Sequence, residues 1–292
     1  MVFAILYKER TTMEITFWGC RGSLPTPGRL NAKYGGNTTC LEVRLSDGTL
    51  IILDAGTGIR NLGKHLLQNP NGSDIYLILT HPHWDHLMGF PFFAPAYSSR
   101  YRIHIRGGPI AKDTVQKYLE HQMQPPYFPA RLRSMKAQFD FTHGIPMIKH
   151  IGNAEVIPIA LSHPNGGFGY KIVEGSKSFV FLTDNEIDYD HEGSMARYEY
   201  INVCREADLL VHDAQYTEKE YERTEGWGHS TYGSAIRLAI QANVKRLGLF
   251  HHDPDRDDQS LDQILRACQN EIASRRKNIY CFAAQEGSKI RI

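Results

Sequence analysis

The sequence predicts an α/β fold made of two β-rich halves, each flanked by helices. Short apolar runs of strand length recur in both halves and alternate with longer segments of helical period. The 292 residues, 41% hydrophobic and 22% charged, can bury a full core and need no more than one domain. No internal repeat or low-complexity stretch breaks the pattern.

In the first half, strand-like runs fall at 14–18, 38–45, 49–54 and 74–80, with a helix from about Gly58 to Asn69. The second half places strands near 155–161, 168–174 and 178–183, then a helix around 196–206 and a strand over Asp208-Leu-Leu-Val-His212. A helix opens at Ser230-Thr231, Val244 to Phe250 reads as a strand, 260–274 as a helix, and Ile279 to Phe282 as the last strand. Between the halves, 107–150 departs from this rhythm: after a helix at 111–121, Gln122-Met-Gln-Pro-Pro-Tyr-Phe-Pro129 carries prolines and aromatics. It reads as a lid or dimer-contact insertion, or as a packed connector.

The apolar opening Met1-Val-Phe-Ala-Ile-Leu-Tyr7 has no preceding basic residues and is cut off by Lys8-Glu-Arg10. Residues 1–13 are therefore expected to be an N-terminal extension, with Met13 a second candidate start, and 14–292 the folded domain. No window approaches the roughly eighteen apolar residues of a membrane helix, so a cytoplasmic protein without a membrane partner is expected. The formal charge of +1 argues against a general nucleic-acid coat. Five cysteines, Cys20, Cys40, Cys204, Cys268 and Cys281, lack C-x-x-C spacing and are odd in number, as suits reduced thiols that take no part in metal binding.

The segment His81-Pro-His83-Trp-Asp85-His86 packs three imidazoles and a carboxylate into six residues directly after the buried-strand run Asp74–Thr80. A chain leaving a strand is freed from two-residue alternation, so donors at alternate and adjacent positions can converge on two neighbouring cations. Nitrogen and carboxylate donors suit zinc first, with manganese or iron as alternatives.

That segment resembles the signature of the metallo-β-lactamase superfamily. The likeness extends to Ile15-Thr-Phe-Trp-Gly-Cys-Arg-Gly-Ser23, to Asn37-Thr-Thr-Cys-Leu-Glu-Val43 and to Leu50-Ile-Ile-Leu-Asp54-Ala-Gly56. The resemblance implies a four-layer αββα metallo-β-lactamase-type sandwich. It also implies a ligand set: His81, His83 and His163 for one metal, Asp85, His86 and His251 for a second, and Asp184 bridging them. His163, Asp184 and His251 each end an apolar strand-like run. Two cations about 3.5–4 Å apart share and acidify a water and neutralise the oxygens of a phosphorus or carbonyl centre. Aspartate at 184, where antibiotic-degrading members often carry cysteine, points to esters and above all to phosphodiesters. His83, where a diiron redox motif would have glutamate, favours hydrolysis over redox.

Gly228-His229-Ser-Thr-Tyr232 is similar to the H-S-T element of tRNA 3′-processing endonucleases and related phosphodiesterases, and Val211-His212-Asp213-Ala-Gln215 to their H-E-A-T segment. By that likeness His229 is the catalytic group that steadies a phosphate oxygen or protonates the leaving alkoxide, with Asp213 holding its ring and Asp85 completing the catalytic set. The Ser230-Thr231 pair reads as a helix N-cap. The glycine-bearing loops Gly19-Cys-Arg-Gly-Ser23 and Tyr34-Gly-Gly-Asn-Thr38 offer Arg21 and Asn37 to a substrate anion, and Tyr170, Phe168 or Tyr34 a stacking surface. Asp54 is expected to orient a ligand or its loop, and His252 to face away from His251. His65, His104, His121, His143, His150 and His191 lack partner spacing, and Gly58–His65 fails as a phosphate loop because His65 stands where Ser or Thr is required.

Within the superfamily, the bacterial tRNA endonucleases carry a basic clasping arm between the positions of His163 and Asp184. Here Pro164–Thr183 reads only as a hairpin. A near-neutral chain without an arm is expected to hydrolyse a small cyclic phosphodiester, a cyclic nucleotide or ribose cyclic phosphate, in line at phosphorus to a phosphomonoester. Nucleic acid is not the favoured partner, and a homodimer is implied only by resemblance. Endoribonuclease activity like that of ribonuclease Z and thioester or lactone hydrolysis are the alternatives.

Overall fold

The computed structural model describes residues 12–107, 114–141 and 150–292. Most of the expected N-terminal extension, the start of the helix expected at 111–121, and His143 lie outside the described residues. The first sheet takes β1 (Glu14–Gly19), β2 (Cys40–Arg44), β3 (Leu50–Leu53), β4 (Asp74–Leu79), β5 (Arg102–Gly107) and β6 (Gln138–Phe141). The second takes β7 (His150–Ile151), β8 (Ala154–Ala160), β9 (Phe168–Glu174), β10 (Lys177–Leu182), β11 (Leu209–Asp213), β12 (Arg246–Phe250) and β13 (Tyr280–Ala283). The last strand, β14 (Lys289–Arg291), returns to the first sheet and pairs antiparallel with β1. The strand orders are β14-β1-β2-β3-β4-β5-β6 and β13-β12-β11-β10-β9-β8-β7.

Side-chain alternation turns these sheets into four layers. On β4, Ile78 points into the core between the sheets while Ile75, Leu77 and Leu79 face the helix side. On β11, Leu209 and Val211 face the inter-sheet core and Leu210 the opposite layer. The inner core joins Phe17, Leu41 and Ile51 of the first sheet to Ile172, Phe181 and Phe250 of the second. Helix α1 (Ile59–Gln68) covers one outer face through Leu62 and Leu66. Helices α4 (Arg197–Cys204), α6 (Tyr232–Gln241) and α7 (Asp258–Ser274) cover the other. The remaining helices are α2 (Trp84–Leu87), α3 (Val115–Gln122) and α5 (Glu218–Thr224). Among the described residues, no helix is long and apolar enough to cross a membrane. All five cysteines are buried free thiols.

The αββα sandwich expected from resemblance is the observed fold, and the expected strands stand within a residue or two of those described. In the described part of 107–150, α3 leads into β6, which pairs parallel with β5, while Leu119, Met123 and Leu132 are buried against the first sheet's outer face. Gln122 also donates its Nε2–H to the carbonyl of Leu87 at 3.2 Å, fastening this crossover behind α2.

Phe181 is buried where the two sheets meet, 5.4 Å in ring-centroid separation from Phe250 in an edge-on arrangement. Phe181→Ala is expected to cost about 3–5 kcal/mol of unfolding free energy in urea titration with an unchanged m-value, through a cavity the two sheets cannot close.

Candidate metal centre

The chain's functional side chains collect where parallel strands end, the place at which open α/β sheets leave a crevice. Asp54 follows β3, His81 follows β4, Asp184 follows β10, Asp213 ends β11 and His251 follows β12. Asp54, Asp184 and His251 have left-handed φ values of 63°, 50° and 59°, which turn the chain sharply off its strand. A non-glycine residue there stores about 1–3 kcal/mol, which the surrounding packing must hold. His83 precedes the single turn α2, which carries Asp85 and His86 inward.

Two groups of donor atoms result. His81, His83, His163 and Asp184 form one, and Asp85, His86, Asp184 and His251 the other, with the atoms of each within 4.8 Å of one another. Asp184 belongs to both through different oxygens: Oδ2 lies 3.5 Å from His81 Nε2, while Oδ1 lies 3.2 Å from His86 Nε2 and 3.3 Å from His251 Nε2. A carboxylate that presents one oxygen to each group is built to link them.

The donor atoms fit cations. The Nε2 atoms of His81 and His86 are buried and make no hydrogen bond, although carboxylate oxygens stand nearby. His163 Nδ1–H donates to the carbonyl of Gly228 at 3.0 Å, so its Nε2 carries a lone pair, which faces His83 Nδ1 at 3.1 Å. Buried ring nitrogens that make no hydrogen bond, as on His81 and His86, cost free energy unless an electron-pair acceptor lies beside them. Burial and the neighbouring imidazoles hold His81 and His83 below the usual histidine range and His163 at about 3, so these three imidazoles are neutral and ready to donate. Burial works against ionising Asp85 and Asp184, but the surrounding imidazoles outweigh it and keep both carboxyls well below the usual range.

A further ring of residues aims the donors. Asp54 accepts from His86 Nδ1 at 2.8 Å and from Thr80's backbone N–H and hydroxyl, both at 2.8 Å. Gln215 Oε1 accepts from His251 Nδ1 at 2.9 Å, and the backbone N–H of Ser23 donates to Asp85 Oδ2 at 2.9 Å. Gly22 and Gly228 allow backbone to lie against the ligand rings: a Cβ would stand 2.3 Å from His251 Nδ1 at the first and 1.9 Å from His163 Nδ1 at the second. Gly228 also has a φ of 95°.

Beside the two groups, His229 Nδ1 pairs with Asp213 Oδ2 at 2.7 Å, and its ring stacks on His251 at 4.8 Å. Burial disfavours the imidazolium, but Asp213, with Asp184 and Asp85 behind it, raises His229 to about 9. Thr231 caps α6 through a hydrogen bond from the N–H of Ser234, while Ser230 donates its hydroxyl to the carbonyl of Asn185.

The site-forming histidines and aspartates expected from the sequence are thus brought together, and Asp54 lies behind His86. The expected substrate residues are not free to bind one. Arg21 is fully buried, and its guanidinium donates to the carbonyls of Gly35, Asp253 and Arg256 and to Asn31, so it locks loops together and cannot clamp an anion. Tyr170 is buried between the sheets with its hydroxyl on the carbonyl of Leu79, and cannot stack a base. Asn37 directs its side-chain amide to Glu286 at 2.9 Å. Tyr34 is buried with its hydroxyl on Asp262. His252 is buried and donates to the carbonyl of Ala284 at 2.8 Å. Glu186 went unread in the sequence: its buried carboxylate accepts from the backbone N–H groups of Gly226 and Gly228, both at 2.7 Å, and so fixes the loop behind His163 and before His229. Its place two residues after Asp184 was the only signal.

Residues 49–252 match the family model described as the beta-lactamase superfamily domain. The chain is 24% identical over 287 residues to a protein named ribonuclease Z from Haloarcula marismortui, covering 82% of this chain and 86% of that one. Its fold is similar to that of the metallo-beta-lactamase fold protein YhfI from Bacillus subtilis, at a TM-score of 0.68 and 16% identity over 96% of this chain and 99% of that one. A diphosphatase from the PhnP family is also similar in fold, at a TM-score of 0.66 and 18% identity over 96% and 98% of the two chains.

Asp54→Ala should lower metal affinity about 10–100-fold by freeing the His86 ring, read by competition with a chromogenic chelator. Unchanged affinity would contradict the orienting role given to Asp54.

Proposed function

We propose, from the premise that the chain belongs to the beta-lactamase superfamily, that it is a metal-dependent phosphodiesterase cleaving a small cyclic phosphodiester to a phosphomonoester. The observation that carries the reading is the Asp213–His229 pair, set against a site in which Asp184 links two groups of nitrogen and oxygen donors. His81, His83, His163 and Asp184 would hold one divalent cation, and Asp85, His86, Asp184 and His251 a second. Donor sets rich in imidazole favour zinc. When bound, the two cations supply Lewis acidity to phosphate oxygens and lower the pKa of water at the site.

The chain's own residues supply the remainder. Asp85, ionised and held by the N–H of Ser23, is positioned to take a proton from the attacking water. Asp213 accepts from His229 Nδ1, which leaves the proton on Nε2 for the departing alkoxide. A group held near 9 carries that proton at neutral pH and gives it up as an oxyanion develops. The protonated ring also offers charge to a phosphate oxygen.

A compact substrate is supported by the connection between His163 and Asp184, which consists of the β9–β10 hairpin, and by a formal charge of +1. The relatives named ribonuclease Z favour a second reading, an endoribonuclease built on the same site. The experiment is turnover of cyclic mononucleotides, a ribose cyclic phosphate and precursor tRNA by metal-loaded protein. Turnover of the cyclic phosphodiesters is expected. Turnover of RNA alone, with affinity falling steeply in salt, would replace the first reading by the second.

His229→Ala is expected to lower kcat about 10²–10⁴-fold. Because the acid form of His229 does the work, the rate falls as pH rises through its pKa. Asp213→Asn removes the charge that raises this pKa, so the alkaline limb of the kcat profile should move to lower pH. A limb that stays in place would remove His229 from the role of acid.

A further inference from the structure

Two of the chain's three tryptophans are exposed, and both adjoin the metal centre. Trp84 lies between His83 and Asp85 with 81% of its surface exposed, and Trp227 immediately before Gly228 with 62% exposed. They come from opposite halves, Trp84 after a strand of the first sheet and Trp227 after a strand of the second. One imidazole joins their chain neighbours: His163 faces His83 Nδ1 at 3.1 Å through Nε2 and donates to the carbonyl of Gly228 at 3.0 Å through Nδ1. Chain positions 84 and 227 therefore both adjoin the group formed by His81, His83, His163 and Asp184.

Their backbones are fixed while their rings are left in water. The N–H groups of Gly226 and Gly228, on either side of Trp227, are both held by the buried carboxylate of Glu186, and the two glycines have φ values of 82° and 95°. Trp84 is pinned at the start of α2, where its carbonyl accepts from Met88 at 2.7 Å and its neighbours His83 and Asp85 point into the site. Trp18, by contrast, is part-buried with its indole N–H on Glu42 at 3.0 Å. Large apolar rings exposed to solvent on fixed backbone beside a site mark a binding surface, and a planar heterocycle is the ligand that can stack on both.

We propose that Trp84 and Trp227 form an aromatic clamp for the nucleobase of the substrate, which makes the enzyme selective for nucleoside phosphodiesters over base-free sugar phosphodiesters. The proposal rests on the phosphodiesterase reading and narrows its substrate class. The clamp supplies the stacking surface that buried Tyr170 and Tyr34 cannot. Stacking tolerates any base, so purine and pyrimidine substrates should differ little beside the gap between nucleoside and base-free compounds.

The test uses metal-loaded protein and two matched ligand pairs. Turnover is compared for adenosine 2′,3′-cyclic phosphate and methyl riboside 2,3-cyclic phosphate, and calorimetric binding for AMP and ribose 5-phosphate. Wild-type protein should prefer the nucleoside member of each pair by about tenfold or more. Trp84→Ala and Trp227→Ala should each erode that preference several-fold through KM, and Trp84→Phe and Trp227→Phe should restore most of it. Absence of a wild-type preference between nucleoside and base-free members in the binding pair, or in the turnover pair where turnover occurs, or equal losses on both members of a pair, would overturn the clamp. Retained preference in the double alanine variant, accompanied by conversion of an oligomer to a monomer, would also overturn it and assign the indoles to a subunit contact. Binding preference for AMP that depends on both indoles, without hydrolysis of any phosphodiester, would uphold the clamp and sink the phosphodiesterase reading.

Discussion

Buried imidazoles and carboxylates crowded together at one end of the two sheets set the constraint on which the rest of this structure depends. Asp85, His86, Asp184 and His251 are all nearly or fully shielded from water, and Asp184 is shared with three further imidazoles. Without an electrophile among them, the unbonded, buried Nε2 atoms of His81 and His86 would be a net loss. Cations among them would give the same atoms electron-pair acceptors, with Asp184 shared by both donor groups. Folding and metal binding would then be linked, because the fold sets the donors in place and cations would remove the cost of burying them.

The architecture explains how donors scattered from residue 81 to residue 251 meet. Strands β3, β4, β10, β11 and β12 lie in parallel runs whose carboxyl ends open toward one crevice, and the tight inter-sheet core holds those ends in register. Left-handed turns at Asp54, Asp184 and His251 redirect the chain as it leaves the strands, and the strain they store is offset by the hydrogen bonds and packing around them. Gly22 and Gly228 then let loop backbone lie against the rings of His251 and His163.

Much of this was legible in the sequence because its signals are local. The H-x-H-x-D-H spacing, the apolar runs ending at His163, Asp184 and His251, and the Ser-Thr cap after His229 are each read within a few residues. What escaped depends on long-range partners or on weak patterns. Strand β14 is three residues with charged ends and becomes a strand only by pairing with β1. Strands β5 and β6 alternate polar and apolar residues, but they flank a proline-rich stretch that read as an insertion. Arg21 looked like an anion clamp because glycines surround it, yet its partners at Gly35, Asp253 and Arg256 come from chain segments that sequence order does not bring near. Glu186, and the contact of Gln215 with His251, escaped for the same reason: each acts on a loop or ring brought to it by the fold.

The central claim is that this end of the molecule holds two adjacent divalent cations linked by Asp184. Elemental analysis of the purified chain, compared with an Asp184→Ala variant of the same fold by circular dichroism, tests it most directly. The account predicts close to two equivalents of transition metal per chain in the parent protein and a clear loss in the variant. A parent protein that contains no transition metal and takes none up after reconstitution would contradict it.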